Sequence, residues 1–313
     1  MSTVALRIEG LDKSFGKRKV IDNVSFETYA GEVFGFLGPN GAGKTTTIKL
    51  ALGLLGRDAG RVEICGMDVD KHYEQAMAQV GGIVENPETY KYLSGWANLK
   101  QFARLHPGVD KGRIAQVVQQ VGLEKRIHDK VRTYSLGMKQ RLGLAAAMLH
   151  RPKLMIFDEP TNGLDPAGIR ELRDTFRRLA AEEGVAVLVS SHLLSEMEQM
   201  CDRVGIIVNG KILGVKTTVE LLRESSGGAQ KVVRFTVNNA ALALPVFAAL
   251  GVPVSNVSAV TLDATIADDA LVGHINVQLI QSGIAVLGIQ ALAHSLEDVF
   301  LQLTGTTGGD QIA

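Results

Sequence analysis

Short unbroken apolar runs alternate with stretches of helical period along most of the chain. Residues 33–37 (VFGFL) and 154–157 (LMIF) are apolar at every position, the pattern of strands buried on both faces. Residues 4–9 and 20–26 instead alternate apolar and polar positions around a turn at 16–19, as edge strands do. Helical spacing of apolar residues predicts helices over 48–55, 72–79, 96–105, 114–121 and 168–181. A long helical run also follows Ser135. Strands are predicted within GRDAGRVEICG and over 80–84 and 185–190. Residues 203–208 and 211–215 form a hairpin around Asn209-Gly210, a dipeptide suited to the two positive φ angles of a tight turn. A short helix at 219–223 closes this region, which reads as one α/β domain over residues 1–224. The helices on either side of His106-Pro107-Gly108 form an inserted helical subdomain over about residues 86–150.

The pattern then changes. SSGGAQ, residues 225–230, has the composition of a flexible linker. Beyond it the order is strand 232–237, helix 240–250, strands near 257–260 and 261–266, helix 268–281 and strand 284–289. That order predicts a small α+β domain of ferredoxin-like type over residues 231–313. Residues 295–303 read as a final amphipathic helix and 304–313 as a loose tail. Nothing in this second domain carries recognisable chemistry, so it is expected to be a regulatory or interaction module.

Composition narrows the function. With 33 lysines and arginines against 33 aspartates and glutamates in 313 residues, the charge balance argues against a general nucleic-acid-binding surface. The two cysteines, Cys65 and Cys201, have no metal-like spacing and are expected to be ordinary packed residues of a reducing compartment. The start, MSTVALRIEG, lacks the basic and apolar regions of a secretion signal. The most apolar stretches, 142–149 and 240–254, fall short of a bilayer-spanning length, and the second contains Pro245 and Pro253. Any membrane crossing is therefore expected of another chain.

The chemistry concentrates between strand ends and helix starts. GPNGAGKTT links the buried run 33–37 to a helix. Its glycines Gly38, Gly41 and Gly43 allow backbone N–H groups to turn inward around phosphate oxygens, and the helix adds its positive end. Lys44 supplies a point charge between terminal phosphates, and the Thr45 hydroxyl a magnesium contact. Phe15 is either a core residue or a ring on which a base could stack. Glu85 ends a strand before a loop containing Pro87, where it either reaches a metal or is simply solvated. Ser135 stands at the N-terminus of a long helix and Gly137 permits close approach to its backbone. Asp158 and Glu159 end the strand LMIFDEP, where two carboxylates can divide metal support from water activation. Asp165 follows in the turn TNGLDP, and His192 ends the next strand on the same side. Tyr90, Tyr92 and Trp96 form an aromatic group able to dock a partner.

Together GPNGAGKT, YSLGMKQR, LMIFDEP, GLDP and His192, in that order, resemble the ATP-binding cassette (ABC) family of P-loop NTPases over residues 4 to about 224. The resemblance implies ATP and Mg2+ as cofactors. It implies that Gly38, Asn40, Gly41, Ala42, Gly43, Lys44, Thr45 and Thr46 hold phosphates, with Thr45 also on magnesium, and that Phe15 stacks on adenine. Asp158 would support the metal, Glu159 polarise the attacking water, and His192 sense the terminal phosphate. Ser135 and Gly137 would contact the nucleotide of a second cassette, with Asp165 at the seam between the two. Such subunits pair head to tail, here expected as a homodimer, and power a separate transmembrane permease from the cytoplasmic face of the membrane, with no nucleic acid involved.

Two departures are visible. The usual LSGGQ signature is here Tyr134, Ser135, Leu136, Gly137, Met138, and the usual glutamine of the loop after the phosphate strand is Glu85. With NPETYKYLSGWANL, they resemble the subgroup containing bacitracin and lantibiotic exporters. Glu85 then either contacts magnesium directly or, protonated, acts as glutamine would. The leading expectation is the ATPase of an export complex carrying an antimicrobial peptide, lipid or drug. A soluble cassette acting on nucleic acid or ribosomes usually has paired cassettes or long coiled coils, and a non-hydrolysing ATP switch would not need Glu159.

Overall fold

The computed structural model describes residues 3–85, 88–225, 231–266 and 269–292. The expected linker residues 226–230, the final helix at 295–303, the tail 304–313 and Pro87 lie outside the described residues. The chain forms two compact units, Met1–Thr218 and Val219–Ala313.

The first unit opens with β1 (Val4–Phe15) and β2 (Arg18–Tyr29), an antiparallel hairpin. β3 (Val33–Leu37), buried at every position, feeds the glycine-rich loop and α1 (Lys44–Ala51). Next come β4 (Ala59–Ile64), β5 (Met67–Asp68), α2 (Tyr73–Met77) and β6 (Val80–Ile83). The helical insertion contains α3 (Gly95–Ala103), α4 (Lys111–Gln120) and α5 (Leu136–Met148). The chain returns through β7 (Leu154–Asp158), α6 (Pro166–Glu183), β8 (Ala186–Ser191) and α7 (Leu194–Met200). It then forms β9 (Arg203–Val208), β10 (Lys211–Thr217) and α8 (Thr218–Ser225). The boundary expected at residue 224 thus falls inside α8, which begins where the first unit ends.

One sheet has the order β2-β1-β4-β5 and is antiparallel; the other has the order β10-β9-β3-β8-β7-β6 and is parallel except for β10. β1 is therefore not the edge strand its alternation predicts. Leu6, Ile8 and Leu11 go to the core, and the polar position Arg7 pairs with Glu27 on one neighbour (2.6 Å) and Glu63 on the other (3.2 Å). Alternation reports one buried face; it does not say whether the edge is open. Phe26 stacks on Phe34 and Phe36 (ring centroids 5.2 Å for each) between the sheets, and Phe157 stacks on Phe176 at 4.6 Å.

Helix starts follow the side-chain chemistry at their first residues. Ser94, Asp110, Ser135 and Asp165 each accept a hydrogen bond from a backbone N–H of the following turn, and α6 adds Pro166 at its first position. Asn209 and Gly210 take φ of 48° and 78°, the paired left-handed turn anticipated from the dipeptide. Both cysteines are packed residues, and burial pushes each thiol above its ordinary range.

The second unit comprises β11 (Lys231–Val237), α9 (Ala240–Ala249), β12 (Val254–Asn256), β13 (Thr261–Ile266), α10 (Asp269–Gln281) and β14 (Val286–Leu292). Its sheet is antiparallel with order β12-β13-β11-β14, around a core that includes Phe235 and Phe247. The strand expected near 257–260 lies earlier, at Val254–Asn256, because Ser258 Oγ accepts from the backbone N–H of Val260 and Thr261 and bends that segment. Among the described residues no helix is long and apolar enough to cross a membrane.

One close approach ties the helical insertion to the parallel sheet. A side chain on Gly81 of β6 would run into the Ala147 carbonyl of α5 and the ring of Pro152. Gly81→Ala should therefore force α5 off the sheet and lower the stability of the first unit by about 1–3 kcal/mol. Chemical denaturation of the full chain checks this.

Candidate active site

Parallel pairing brings three strand ends to one edge of the sheet. Leu37 is in register with Ser191, and Asp158 with Ser190, so the loops after β3, β7 and β8 converge, as ligand sites do in open α/β sheets.

The glycine-rich loop wraps back over this edge. Gly41 and Gly43 take φ of 79° and 110°, angles that a side chain would strain. Gly38 presses so closely on the Ile207 carbonyl that no Cβ would fit. The β9–β10 turn braces the loop directly, since Gly210 donates its N–H to the Ala42 carbonyl at 2.9 Å. Lys44, Thr45 and Thr46 begin α1, where backbone N–H groups have no intrahelical acceptor. Arg18, Asn40, Gly41, Gly43, Lys44, Thr45, Thr46 and Glu159 surround a single recess.

Lys44 is 6% exposed. Its ammonium donates to the carbonyls of Gly38 (2.6 Å) and Pro39 (3.3 Å) and pairs with Glu159 Oε1 at 3.1 Å. The other Glu159 oxygen meets His192 Nδ1 at 2.9 Å. Glu159 thus stands between a cation and an imidazole, and its backbone is left-handed at φ 48°. Asp158, buried beside it, accepts from Thr45 Oγ1 at 2.7 Å and from Ser190 Oγ at 2.6 Å. Ser190 Oγ in turn accepts from the Glu159 N–H at 2.9 Å.

The arrangement fits a phosphate chain: a buried ammonium, a helix start and glycine-shaped backbone face one recess. It also fits magnesium, because the Thr45 hydroxyl and the Asp158 carboxylate place two hard oxygen donors together. Among the described residues no cluster of three or more His, Cys, Asp or Glu side chains forms a metal cage, and magnesium needs none, since it keeps much of its water.

The other expected site residues lie elsewhere. Phe15 ends β1 opposite Arg18, is half exposed, and has the Lys13 ammonium 5.6 Å from its ring centre. Glu85, at φ 68°, turns outward from the end of β6 and its carboxylate pairs with Lys49 at 2.6 Å. Ser135 caps α5 by accepting from the Met138 N–H at 3.3 Å, and Asp165 caps α6 by accepting from the Gly168 N–H at 3.0 Å. Gly137, Leu164 and Gly168 line a second hollow, separate from the recess around Lys44. Tyr134 anchors the chain just before α5 by donating its hydroxyl to the Arg126 carbonyl at 2.7 Å, and burial pushes its phenol above the ordinary range. Tyr90 and Tyr92 are exposed with rings 5.9 Å apart, while Trp96 is half-buried against His128.

Ser190 and Arg18 were not legible as site residues. The signal for Ser190 lay in position alone: a hydroxyl two residues before His192 at the end of a buried strand.

The ABC transporter family model matches residues 21–162. Over 307 residues the chain is 47% identical to the uncharacterized ABC transporter ATP-binding protein YhcH of Bacillus subtilis (strain 168), spanning 98% of each. It is 37% identical over 321 residues to the bacitracin transport ATP-binding protein BcrA of Bacillus licheniformis, spanning 97% of this chain and 98% of that one. A solved ATP-binding subunit of an ABC transporter superposes with a TM-score of 0.64 at 30% identity, covering 71% of this chain and 93% of the other. With its P-loop architecture and likeness extending over nearly its whole length, the chain belongs to the ATP-binding ATPase subunits of ABC transporters.

Proposed function

We propose that this subunit drives export of an antimicrobial peptide, lipid or drug through a separate membrane permease, working from the cytoplasmic face. The likeness to a bacitracin transport protein supports the cargo class. The observation that carries the catalytic reading is the Glu159 carboxylate held between Lys44 and His192, beside the Thr45–Asp158 pair.

Hydrolysis requires that a terminal phosphate be held, its charge neutralised and a water aimed at it. In this reading the loop from Gly38 to Thr46, with Asn40 and Ala42, holds the phosphates through backbone N–H groups and the Lys44 ammonium. Thr45 and Asp158 would hold magnesium, which would supply positive charge to offset that of the phosphates. An arriving phosphate competes with Glu159 for Lys44. The released carboxylate then turns to polarise water, while His192 remains within reach as the second polar group at the strand edge. Phe15 offers a half-exposed ring for adenine. Glu85 is the candidate for a further magnesium contact, exchanging its Lys49 partner for the ion.

Ser135 and Gly137 lie apart from the recess around Lys44, which supports a head-to-tail pair in which each chain's signature segment, with Asp165 at the seam, completes the other's site. Nucleotide then acts as the adhesive of the pair, and its hydrolysis as the release that moves the permease. The exposed Tyr90 and Tyr92 support a permease-docking role for that surface. The strand order of the second unit, with its first strand between the third and fourth, supports the ferredoxin-like reading of that module.

Glu159→Gln should lower steady-state turnover by about 100-fold or more while retaining ATP binding and accumulating an ATP-bound dimer by size-exclusion chromatography. Turnover near that of the parent chain would remove Glu159 as the activating group. Lys44→Ala should weaken ATP binding by about tenfold or more in equilibrium titration, and unaltered affinity would contradict its role. Glu85→Gln should raise the magnesium concentration needed for half-maximal turnover. A superimposable titration curve would leave Glu85 as a surface ion pair with Lys49.

A further inference from the structure

Glu159 is an unusual residue by backbone alone. A glutamate at φ 48° lies in a region that non-glycine residues occupy at a cost, and such a conformation persists only where the surroundings dictate it. Its side chain cannot be what dictates it, because a phosphate that takes Lys44 away would loosen that end. Some contact independent of nucleotide has to hold the backbone.

Ser190 supplies one. It lies on β8, in parallel register with Asp158 on one side and Phe36 on the other, and is 0% exposed. Its hydroxyl is used in both directions: it donates to Asp158 Oδ1 at 2.6 Å and accepts from the Glu159 N–H at 2.9 Å. A single oxygen thus fixes the side chain of one carboxylate residue and the backbone of the next. The next residue on the same strand is fastened from a different direction. Ser191 Oγ donates to Glu196 Oε2 (3.3 Å), the oxygen that also takes the Thr161 hydroxyl (2.6 Å), and it accepts from the Leu193 N–H (2.9 Å). The end of β8 is therefore immobilised against the segments on both sides of His192 and Glu159.

We infer that Ser190 is a positioning residue for ATP hydrolysis: its hydroxyl locks the left-handed turn at Glu159 and so keeps that carboxylate aimed at the water. The inference rests on the reading of Glu159 as the water-activating group. If the hydroxyl is lost, the part-buried Glu159 N–H loses its Ser190 acceptor and the strained turn loses a restraint. Relaxation towards extended backbone would carry the carboxylate away from Lys44 and His192. Binding of nucleotide by the loop should be little affected, because both hydrogen bonds of the Ser190 hydroxyl go to Asp158 and Glu159, outside the loop.

The test uses the full chain with Ser190→Ala, Ser190→Thr, Ser190→Cys, Glu159→Gln and the Ser190→Ala/Glu159→Gln double variant. Ser190→Ala should lower kcat by about tenfold or more, with KM for ATP changed less than about twofold. Threonine should restore kcat to within about threefold, and cysteine, a weak donor, should fall between alanine and threonine. On the Glu159→Gln background, Ser190→Ala should cause no further loss, because the two act as one unit. In the nucleotide-free protein, Ser190→Ala should also speed amide hydrogen exchange at Glu159 by about tenfold or more, a readout independent of turnover. A folded Ser190→Ala chain with unchanged kcat and unchanged exchange at Glu159 overturns the proposal, as do losses that multiply in the double variant. Should alanine prevent folding, the order of threonine and cysteine in kcat decides, and equal activity of the two counts against the role of the hydroxyl. Turnover that survives Glu159→Gln would instead remove the reading of Glu159, a separate failure.

Discussion

A buried ammonium sets the terms for the rest of the site. Taking Lys44 out of water is costly unless its charge is met, and here two carbonyls and one carboxylate meet it. The carboxylate is Glu159, whose backbone is left-handed at φ 48°. Around that pair stand the Ser190 hydroxyl, which accepts from the Glu159 N–H, and the His192 imidazole, which meets the second carboxylate oxygen. The chain's own groups thereby charge and shape the recess.

The rigidity behind this arrangement comes from the parallel sheet. β3, β7 and β8 are buried along their lengths, so their register is fixed by packing on both faces. Glycines at Gly81 and Gly38 let backbone meet backbone where any side chain would hold the elements apart. Asp158, Glu159 and His192 therefore extend from the ends of strands that cannot slide, while Ser135 and Gly137 stand at the start of a helix belonging to the insertion. Separation of those two sets within one chain is what motivates the proposal of a site shared between chains.

Sequence made the strand-end chemistry legible because unbroken apolar runs such as VFGFL and LMIF can be little else, and because the glycine spacing before Lys44 has a geometric purpose. Asn209-Gly210 was equally readable, since few dipeptides accept two positive φ angles. Other features depended on partners distant in the chain. Arg7 looked like the polar face of an edge strand until Glu63 appeared on the far side. Residues 257–260 were apolar enough for a strand, and a single serine hydroxyl bent them. Ser190 carries no motif of its own, and its hydrogen bonds to Asp158 and Glu159 arise only once β7 and β8 pair. Glu85 was placed at the correct strand end, yet its engagement with Lys49 could not be foreseen from spacing.

The hydrogen bond from Gly210 to Ala42, with Gly38 tucked under the Ile207 carbonyl, has a consequence for how the protein comes into being. The cradle is encoded near the start of the chain, but the hairpin that braces it is encoded far later. During synthesis on the ribosome, the early segment can emerge and collapse without its roof. A nascent chain halted before Asn209-Gly210 therefore holds the whole glycine-rich loop and still lacks the hydrogen bond and the carbonyl that brace it.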